Sequence, residues 1–262
     1  MTQGKTTTER RGHVFLMGID RVAKRNAFDI AMYQSLGLAL GELDRDPELR
    51  CGVLFAHGPH FTAGLDLAEW AAIMSAGRFP DMPEGACEPM GLDEAARVRK
   101  PLVMAVQGIC FTIGLELLLA TDIRVAASDL RMAQIEVKRG FYAVGGGTVR
   151  LIQEVGWGNA MRYLLTGDEI TAEAALRLGL VQDVVEPGKQ LDRAIEIAET
   201  IAEQAPLGVQ ATLASARLAR AQGEPAANAR LLPDLIPLMA TEDMQEGFRS
   251  FMERRKATFS GR

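Results

Sequence analysis

Cysteine and histidine are scarce in this sequence, which limits the kinds of site it can form. The three cysteines, Cys51, Cys87 and Cys110, are widely spaced and odd in number, and they favour neither a disulfide framework nor a zinc site. Free thiols of this kind fit a reducing compartment, so we expect a cytoplasmic protein. Only two of the three histidines, His57 and His60, are close together, and they lack further ligands nearby, so no metal site is expected.

The sequence also lacks an excess of positive charge. It has 29 basic and 34 acidic side chains, a formal net charge of −5, which argues against nucleic acid or an anionic membrane as a partner. The opening segment 1–12 is polar and the apolar run after it is short, so no secretory signal is expected. The apolar stretch 101–120 is interrupted by Gln107, Thr112 and Glu116, which favours a buried core over a membrane span.

Alternating strand and helix patterns indicate an α/β protein. With 262 residues, 48% of them hydrophobic, the chain can bury a large core in one big domain or two small ones. Segments 13–21 and 51–58 are typical of strands, and 26–46 has the apolar spacing of a helix. Residues 70–100 lack a steady period, and there we predict a short helix, an irregular stretch and a second helix ending near Lys100. The methionines of this region either line a binding pocket or belong to an ordinary surface excursion.

The chain changes from mixed structure to almost pure helix near residue 190. This shift predicts a core of residues 1–190 followed by a C-terminal helical region of residues 191–262. Strands are predicted at 101–108, 122–128, 130–137 and 181–187, and helices from Thr112 or Ile113 to Leu119, at 148–165, at 171–179 and over most of 187–258.

Two glutamates are the strongest candidates for chemistry. Glu116 lies among leucines, where a carboxylate is costly unless it is paired, protonated or used. Its alternative role is structural, as a carboxylate held by backbone donors. Glu136 follows twenty residues later, and its alternative is a solvated strand face beside Lys138. Burial and the proximity of a second carboxylate would raise the pKa of such groups, which suits proton transfer.

Four segments stand out by their order and spacing, namely "HFTAGLDL" (60–67), "QGICFTIGLEL" (107–117), "MAQIEVKRGFYAVGGGTVRL" (132–151) and "EDMQEGFRSFMERRKATFSGR" (242–262). Together they resemble the crotonase superfamily of enoyl-CoA hydratases and isomerases. The resemblance extends from "KRNAFD" (24–29) to the C-terminus. It implies a crotonase-like spiral of ββα units with a C-terminal helical trimerisation region.

The resemblance implies roles for particular residues. An oxyanion hole would be formed by the backbone N–H groups of Ala63 and Ile113, and a helix beginning near 113 would leave such groups free in its first turn. The alternative for "TAGLD" is a plain turn in which Asp66 caps a helix. Glu116 would activate water, and Glu136 would transfer the proton at the α carbon.

The resemblance also implies how the substrate is held. Lys24, Arg25, Phe251 and Arg254 would contact the CoA moiety, which is part of the substrate, so no separate cofactor is expected. The family further implies a homo-oligomer, either a trimer or a dimer of trimers. For the C-terminal segment, the alternative is a terminal helix with one packed face and one solvated basic face.

The implied function is hydration of trans-2-enoyl-CoA thioesters to 3-hydroxyacyl-CoA. Alternatives are an enoyl-CoA isomerase, another acyl-CoA activity such as hydrolysis or decarboxylation, or a crotonase-like binding protein without turnover. Two departures lie close to the site. Thr112 and Ile113 stand where many relatives have glycines, and Ala143 and Val144 stand where relatives often have Pro-Gly. The first departure bears on the shape of the substrate more than on the oxyanion hole, and the two together sustain the alternative of a binding protein without turnover.

Overall fold

Strands and helices alternate through most of the chain, as the α/β prediction requires. The computed structural model describes residues 3–262, so Met1 and Thr2 lie outside the described residues. The strands are Lys5–Arg11 (β1), Val14–Asp20 (β2), Cys51–Ala56 (β3), Leu102–Val106 (β4), Ile109–Phe111 (β5), Ile123–Ala127 (β6), Arg131–Ala133 (β7), Ile170–Thr171 (β8) and Asp183–Val185 (β9). The helices are Ile30–Arg45 (α1), Leu67–Ser75 (α2), Ile113–Ala120 (α3), Gly147–Val155 (α4), Trp157–Thr166 (α5), Ala172–Arg177 (α6), Gln190–Ala202 (α7), Pro206–Gln222 (α8), Glu224–Asn228 (α9), Leu231–Met239 (α10) and Glu242–Glu253 (α11).

Two sheets organise the core. The larger has the strand order β1-β2-β3-β4-β6-β9, in which β1 and β2 are antiparallel and the other pairs are parallel. The smaller has the order β5-β7-β8, with β5 parallel to β7. The inner strands of the larger sheet are buried on both faces, and they consist of nearly continuous apolar runs for that reason. The chain leaves β3 and β5 toward the same region, where the candidate site lies.

Helix α7 packs directly on the larger sheet. Its Ala194, Ile195 and Ala198 form an apolar cluster with Val14 and Val53 on one face of that sheet. The predicted boundary at residue 190 therefore marks a change in the type of element, and contacts continue across it. The trimerisation role of the helical region stays a prediction.

Three local predictions differ from the structure. The helix predicted to end near Lys100 is only a 3₁₀ turn at Glu94–Ala96, with the rest of the segment irregular. The helix predicted at 148–165 breaks at Gly156, whose φ of 77° interrupts the helical backbone and separates α4 from α5. The strand predicted at 130–137 ends at Ala133, and Glu136–Arg139 forms a 3₁₀ helix.

Strand β1 was not predicted, because its threonines, glutamate and arginines lack an apolar alternation; it is an edge strand that pairs with β2.

Within residues 3–262, no helix has the length and apolar character needed to cross a membrane.

Candidate active site

Two chain segments meet at the site and are hydrogen-bonded side by side. The loop after β3 is held along β5, since Thr62 N–H donates to Ile109 O (2.9 Å) and Phe111 N–H donates to Thr62 O (3.0 Å). Asp66 precedes α2, but its side chain makes no capping bond there and instead pairs with Arg21 at 2.8 Å. The alternative in which Asp66 merely caps a helix is therefore wrong.

The first candidate for an oxyanion donor differs from the predicted residue. Ala63 N–H already donates to Arg25 O at 2.9 Å, which removes it from the free donors. Two residues on, Leu65 N–H makes no hydrogen bond within the described part of the chain. Its neighbours explain this: Phe28 N–H donates to Gly64 O and Asp66 N–H to Phe28 O, both at 2.8 Å, so Leu65 N–H points away from this bridge. Leu65 therefore replaces Ala63 as the candidate donor.

The second candidate donor lies where it was predicted. Ile113 is the first residue of α3, and its N–H has no partner among residues 3–262. Such first-turn N–H groups also carry the partial positive charge of the helix dipole. The preceding residue, Thr112, has φ 51° and ψ −113°, a backbone conformation that suits glycine. Its hydroxyl is buried without a hydrogen-bond partner and lies against Gly64.

Glu116 is held at the site by the chain that begins α4. It lies in the first turn of α3 and is 5% exposed. Its Oε1 accepts hydrogen bonds from Gly145 N–H (2.6 Å) and Gly147 N–H (3.2 Å). Burial raises the pKa of Glu116, and the two N–H donors oppose this only in part. The carboxyl group is thus both bound by backbone donors and turned toward the cavity.

Glu136 is the second buried carboxyl group. It begins the 3₁₀ helix and is 5% exposed, which excludes the solvated strand face. Lys138 is engaged elsewhere, donating to Gly167 O at 2.7 Å. Burial raises the pKa of Glu136 to about 7, and the nearby Glu116 carboxylate adds to this effect. With its amide nitrogen turned toward Glu136, the buried Gln134 donates to both carboxylate oxygens, at 3.0 and 3.2 Å.

Glu116 and Glu136 line one cavity together with Leu65 and Ile113, the residues whose N–H groups are free. Its volume is about 190 Å3, and most of its wall is apolar. It is lined by Ala63, Gly64, Leu65, Leu67, Met74, Thr112, Ile113, Glu116, Ile135, Glu136, Arg139, Phe141, Tyr142 and Val144. Such a cavity can hold an acyl group, place a carbonyl oxygen against two fixed donors and expose the adjacent carbons to two acids or bases.

The methionines of residues 70–100 do not act as a group. Met74 lines the cavity, whereas Met82 packs against α1 at Gly37. Met90 is buried beside Gly145, behind Glu116. Of these three, therefore, only Met74 can contact an acyl chain in this cavity.

The residues assigned to CoA lie apart from the cavity wall. Lys24 ends a 3₁₀ turn, Val22–Lys24, and Arg25 follows it. Phe251 is 80% exposed on α11, and Arg254 follows the end of that helix. None of the four lines the cavity, so their contact with CoA stays a prediction.

Sequence reasoning missed two further groups at the site. Leu65 gave no signal, because the sequence does not show which of several successive N–H groups is used by the neighbouring chain. Gln134 could have been found, because it stands two residues before Glu136, and alternate residues of the strand predicted there would share a face.

Two buried carboxyl groups and two free N–H donors around one apolar cavity, on this fold, define a crotonase-type protein. A sequence model of the family described as "Enoyl-CoA hydratase/isomerase" matches residues 9–262, so the chain belongs to that family. This confirms the resemblance seen in the sequence.

Known relatives cover nearly the whole chain. "Enoyl-CoA hydratase EchA19" of Mycobacterium tuberculosis is 36% identical over 97% of this chain and 96% of its own. "2,3-dehydroadipyl-CoA hydratase" of Escherichia coli is 32% identical over 97% of each chain. Among solved structures, a probable enoyl-CoA hydratase/isomerase from Mycobacterium abscessus has a TM-score of 0.96 at 47% identity and covers 100% of both chains. These likenesses confirm the predicted α/β crotonase fold.

Proposed function

We propose that this protein is an enoyl-CoA hydratase, which adds water to trans-2-enoyl-CoA thioesters to give 3-hydroxyacyl-CoA. The observation that carries the proposal is the convergence of Glu116 and Glu136 on the cavity that Leu65 and Ile113 border. The relatives whose names include enoyl-CoA hydratase support the same reaction class.

The geometry supports a stepwise account of the reaction. The thioester oxygen accepts hydrogen bonds from Leu65 and Ile113 N–H, which stabilise the charge that builds up there during attack. The Glu116 carboxylate takes a proton from water as the water oxygen bonds to the β carbon. The Glu136 carboxylic acid gives its proton to the α carbon. Glu116 therefore gains one proton and Glu136 loses one, and exchange with solvent resets the pair.

The first test measures the rate at which the protein hydrates crotonyl-CoA. The reaction is monitored as the loss of the absorbance of the conjugated thioester. We expect wild-type turnover, and a loss of about 100-fold or more in each of Glu116→Gln and Glu136→Gln, the usual scale for a positioned acid or base. Near wild-type hydration by either variant would contradict the two-carboxyl mechanism.

A second candidate is an enoyl-CoA isomerase. The observation that favours it is the pair of N–H groups that hold Glu116 Oε1, because they leave Glu136 as the more readily protonated group. An isomerase would convert a trans-3-enoyl-CoA to the conjugated isomer without forming the 3-hydroxy product, and it would need Glu136 alone.

Binding of CoA and assembly are further parts of the proposal. We infer that Lys24, Arg25, Phe251 and Arg254 contact the CoA moiety, where a guanidinium such as that of Arg254 can bind phosphate oxygens at two points. The substrate is thus an acyl-CoA, and no separate cofactor takes part. The chain would assemble as a trimer or a dimer of trimers in the cytoplasm.

A further inference from the structure

Two hydrogen-bond donors line the cavity without a partner. Arg139 is the only cationic side chain in the cavity wall, and it forms no hydrogen bond or ion pair within residues 3–262. Tyr142 stands three residues on and is 63% exposed, and its hydroxyl is equally unpartnered in the described chain. Within residues 3–262, no hydrogen bond or ion pair holds either polar group in place, so both are available to a ligand.

The local backbone places these donors on the same wall as Glu136. In a 3₁₀ helix, side chains three residues apart lie on the same side, so Arg139 follows Glu136 into the cavity. Gly140, with φ 88°, then turns the chain, and Phe141 and Tyr142 continue the wall. Within residues 3–262, Arg139 forms no ion pair with Glu136, so its charge stands apart from the reacting carboxyl group and is available to a ligand in the cavity.

The rest of the cavity wall is mainly apolar, so these two donors indicate which polar group a ligand can place there. Beyond the glutamates and Thr112, the cavity is lined mainly by apolar side chains, including Leu67, Met74 and Ile135. An apolar wall holds a hydrocarbon chain but offers nothing to a charge, whereas a guanidinium presents a planar fork that fits a carboxylate at two points. A phenol hydroxyl adds a third donor.

We propose that Arg139, together with Tyr142, binds a carboxylate at the free end of the acyl chain. On this proposal, which rests on the proposed hydratase function, the preferred substrates are trans-2-enoyl-CoA thioesters of dicarboxylic acids. A second anion of similar chemistry is present in any substrate, namely the phosphates of CoA. The experiment must therefore separate a carboxylate on the acyl chain from a phosphate on the nucleotide.

The test compares two substrates of equal length that differ only in the terminal group, trans-2-hexenedioyl-CoA and trans-2-hexenoyl-CoA. We expect the wild type to have the higher kcat/KM for the dicarboxylic substrate. In Arg139→Gln, the ratio of the two kcat/KM values should fall by about 10- to 100-fold, the scale of a hydrogen bond to a charged group. Tyr142→Phe should lower the same ratio by a smaller factor. Arg177→Gln, which changes an exposed arginine on α6 away from the cavity, is the matched control and should keep the ratio.

Two results would overturn the inference. One is a wild type without preference for the dicarboxylic substrate. The other is an equal loss on both substrates in Arg139→Gln, which would assign the guanidinium to the CoA phosphates.

A binding measurement separates this inference from the hydratase proposal. Adipyl-CoA and hexanoyl-CoA are saturated and cannot be hydrated, so titration calorimetry reports their affinity whatever reaction the protein performs. Tighter binding of adipyl-CoA that is lost in Arg139→Gln would support the carboxylate site even if no enoyl-CoA is hydrated. Equal affinity for both ligands in the wild type would overturn it.

Discussion

At the scale of single residues, the protonation state of Glu136 makes the proposed reaction depend on pH. Burial raises the pKa of this group to about 7, so at neutral pH a large share of the molecules hold the proton that the α carbon must receive. We expect kcat/KM for hydration to fall as the pH rises through about 7, where that proton is lost. Initial rates on both sides of this pH measure it. The residual kcat/KM of Glu136→Gln should not fall through this pH. A wild-type kcat/KM that rises through the same pH would contradict the role of Glu136 as the proton donor.

Thr112 adopts a backbone conformation that favours glycine. Its φ of 51° and ψ of −113° suit glycine, and its buried hydroxyl has no partner. Such strain costs about 1–3 kcal/mol, against about 0.5–1 kcal/mol for the greater freedom of glycine in the unfolded chain. We therefore expect Thr112→Gly to raise the free energy of unfolding by about 1 kcal/mol, measured by chemical denaturation.

A matched variant checks the cause. Thr112→Val keeps the branched side chain and hence the strain, so it should not reach the stability of Thr112→Gly. If Thr112→Gly is instead the less stable protein, the side chain contributes more through packing against Gly64 than its backbone conformation costs.

At the scale of elements, helices and buried strands were predictable from apolar spacing, whereas the short connections were not. The helix predicted from Thr112 or Ile113 to Leu119 is α3, which explains why Glu116 and the Ile113 N–H were identified from sequence. Leu65 was not, because its free N–H depends on a bridge to Phe28, a contact between distant segments. The strand predicted around Glu136 failed because the chain there turns into a 3₁₀ helix that buries the carboxyl group.

The segment that leads into α4 positions Glu116. An added Cβ at Gly145 would meet Glu116 Oε2 and Met90 Sδ, so there is no room for a side chain. We expect Gly145→Ala to displace the carboxyl group and to lower kcat by about 10- to 100-fold, since small displacements at a reacting centre are costly. Gly158→Ala is the control, because a Cβ at that position in α5 meets nothing within 4 Å. Equal kcat in both variants would mean that Glu116 does not need this support.

At the scale of the whole molecule, the C-terminal helices expose large apolar side chains. An apolar groove of about 460 Å3 lies between α8, α10 and α11. Isolated exposed apolar residues are common, but a contiguous group is typical of an interface. The apolar side chains that are at least 60% exposed on α10 and α11 are Leu232, Ile236, Phe248, Phe251 and Met252. This group supports the proposed trimer.

A charge on this surface should oppose assembly. We expect the wild type to sediment as a trimer or a dimer of trimers, and Phe251→Asp to shift the mass toward the monomer. Leu176→Asp places the same charge at an exposed apolar position of α6 and should leave the mass unchanged. A monomeric wild type, or an unaltered mass in Phe251→Asp, would contradict the role of these helices in assembly.

The buried carboxyl group of Glu136 also enters the folding equilibrium of the entire chain. Its pKa is raised in the folded protein from an ordinary value of 4.5 to about 7, so folding favours the protonated form. The stability that this form provides is complete below pH 4.5 and is lost as the pH rises through about 7. Well above that pH, the wild type should carry a penalty on the order of 3 kcal/mol that Glu136→Gln escapes, because an amide does not ionise. Unfolding free energies of the two proteins should therefore diverge between about pH 4.5 and 7 and differ by a constant amount above that range, and curves that stay parallel from pH 4 to 8 would disprove the shift. The carboxyl group proposed for catalysis thus lowers the stability of the folded protein above about pH 7. In that range the less active variant, Glu136→Gln, should be the more stable of the two proteins.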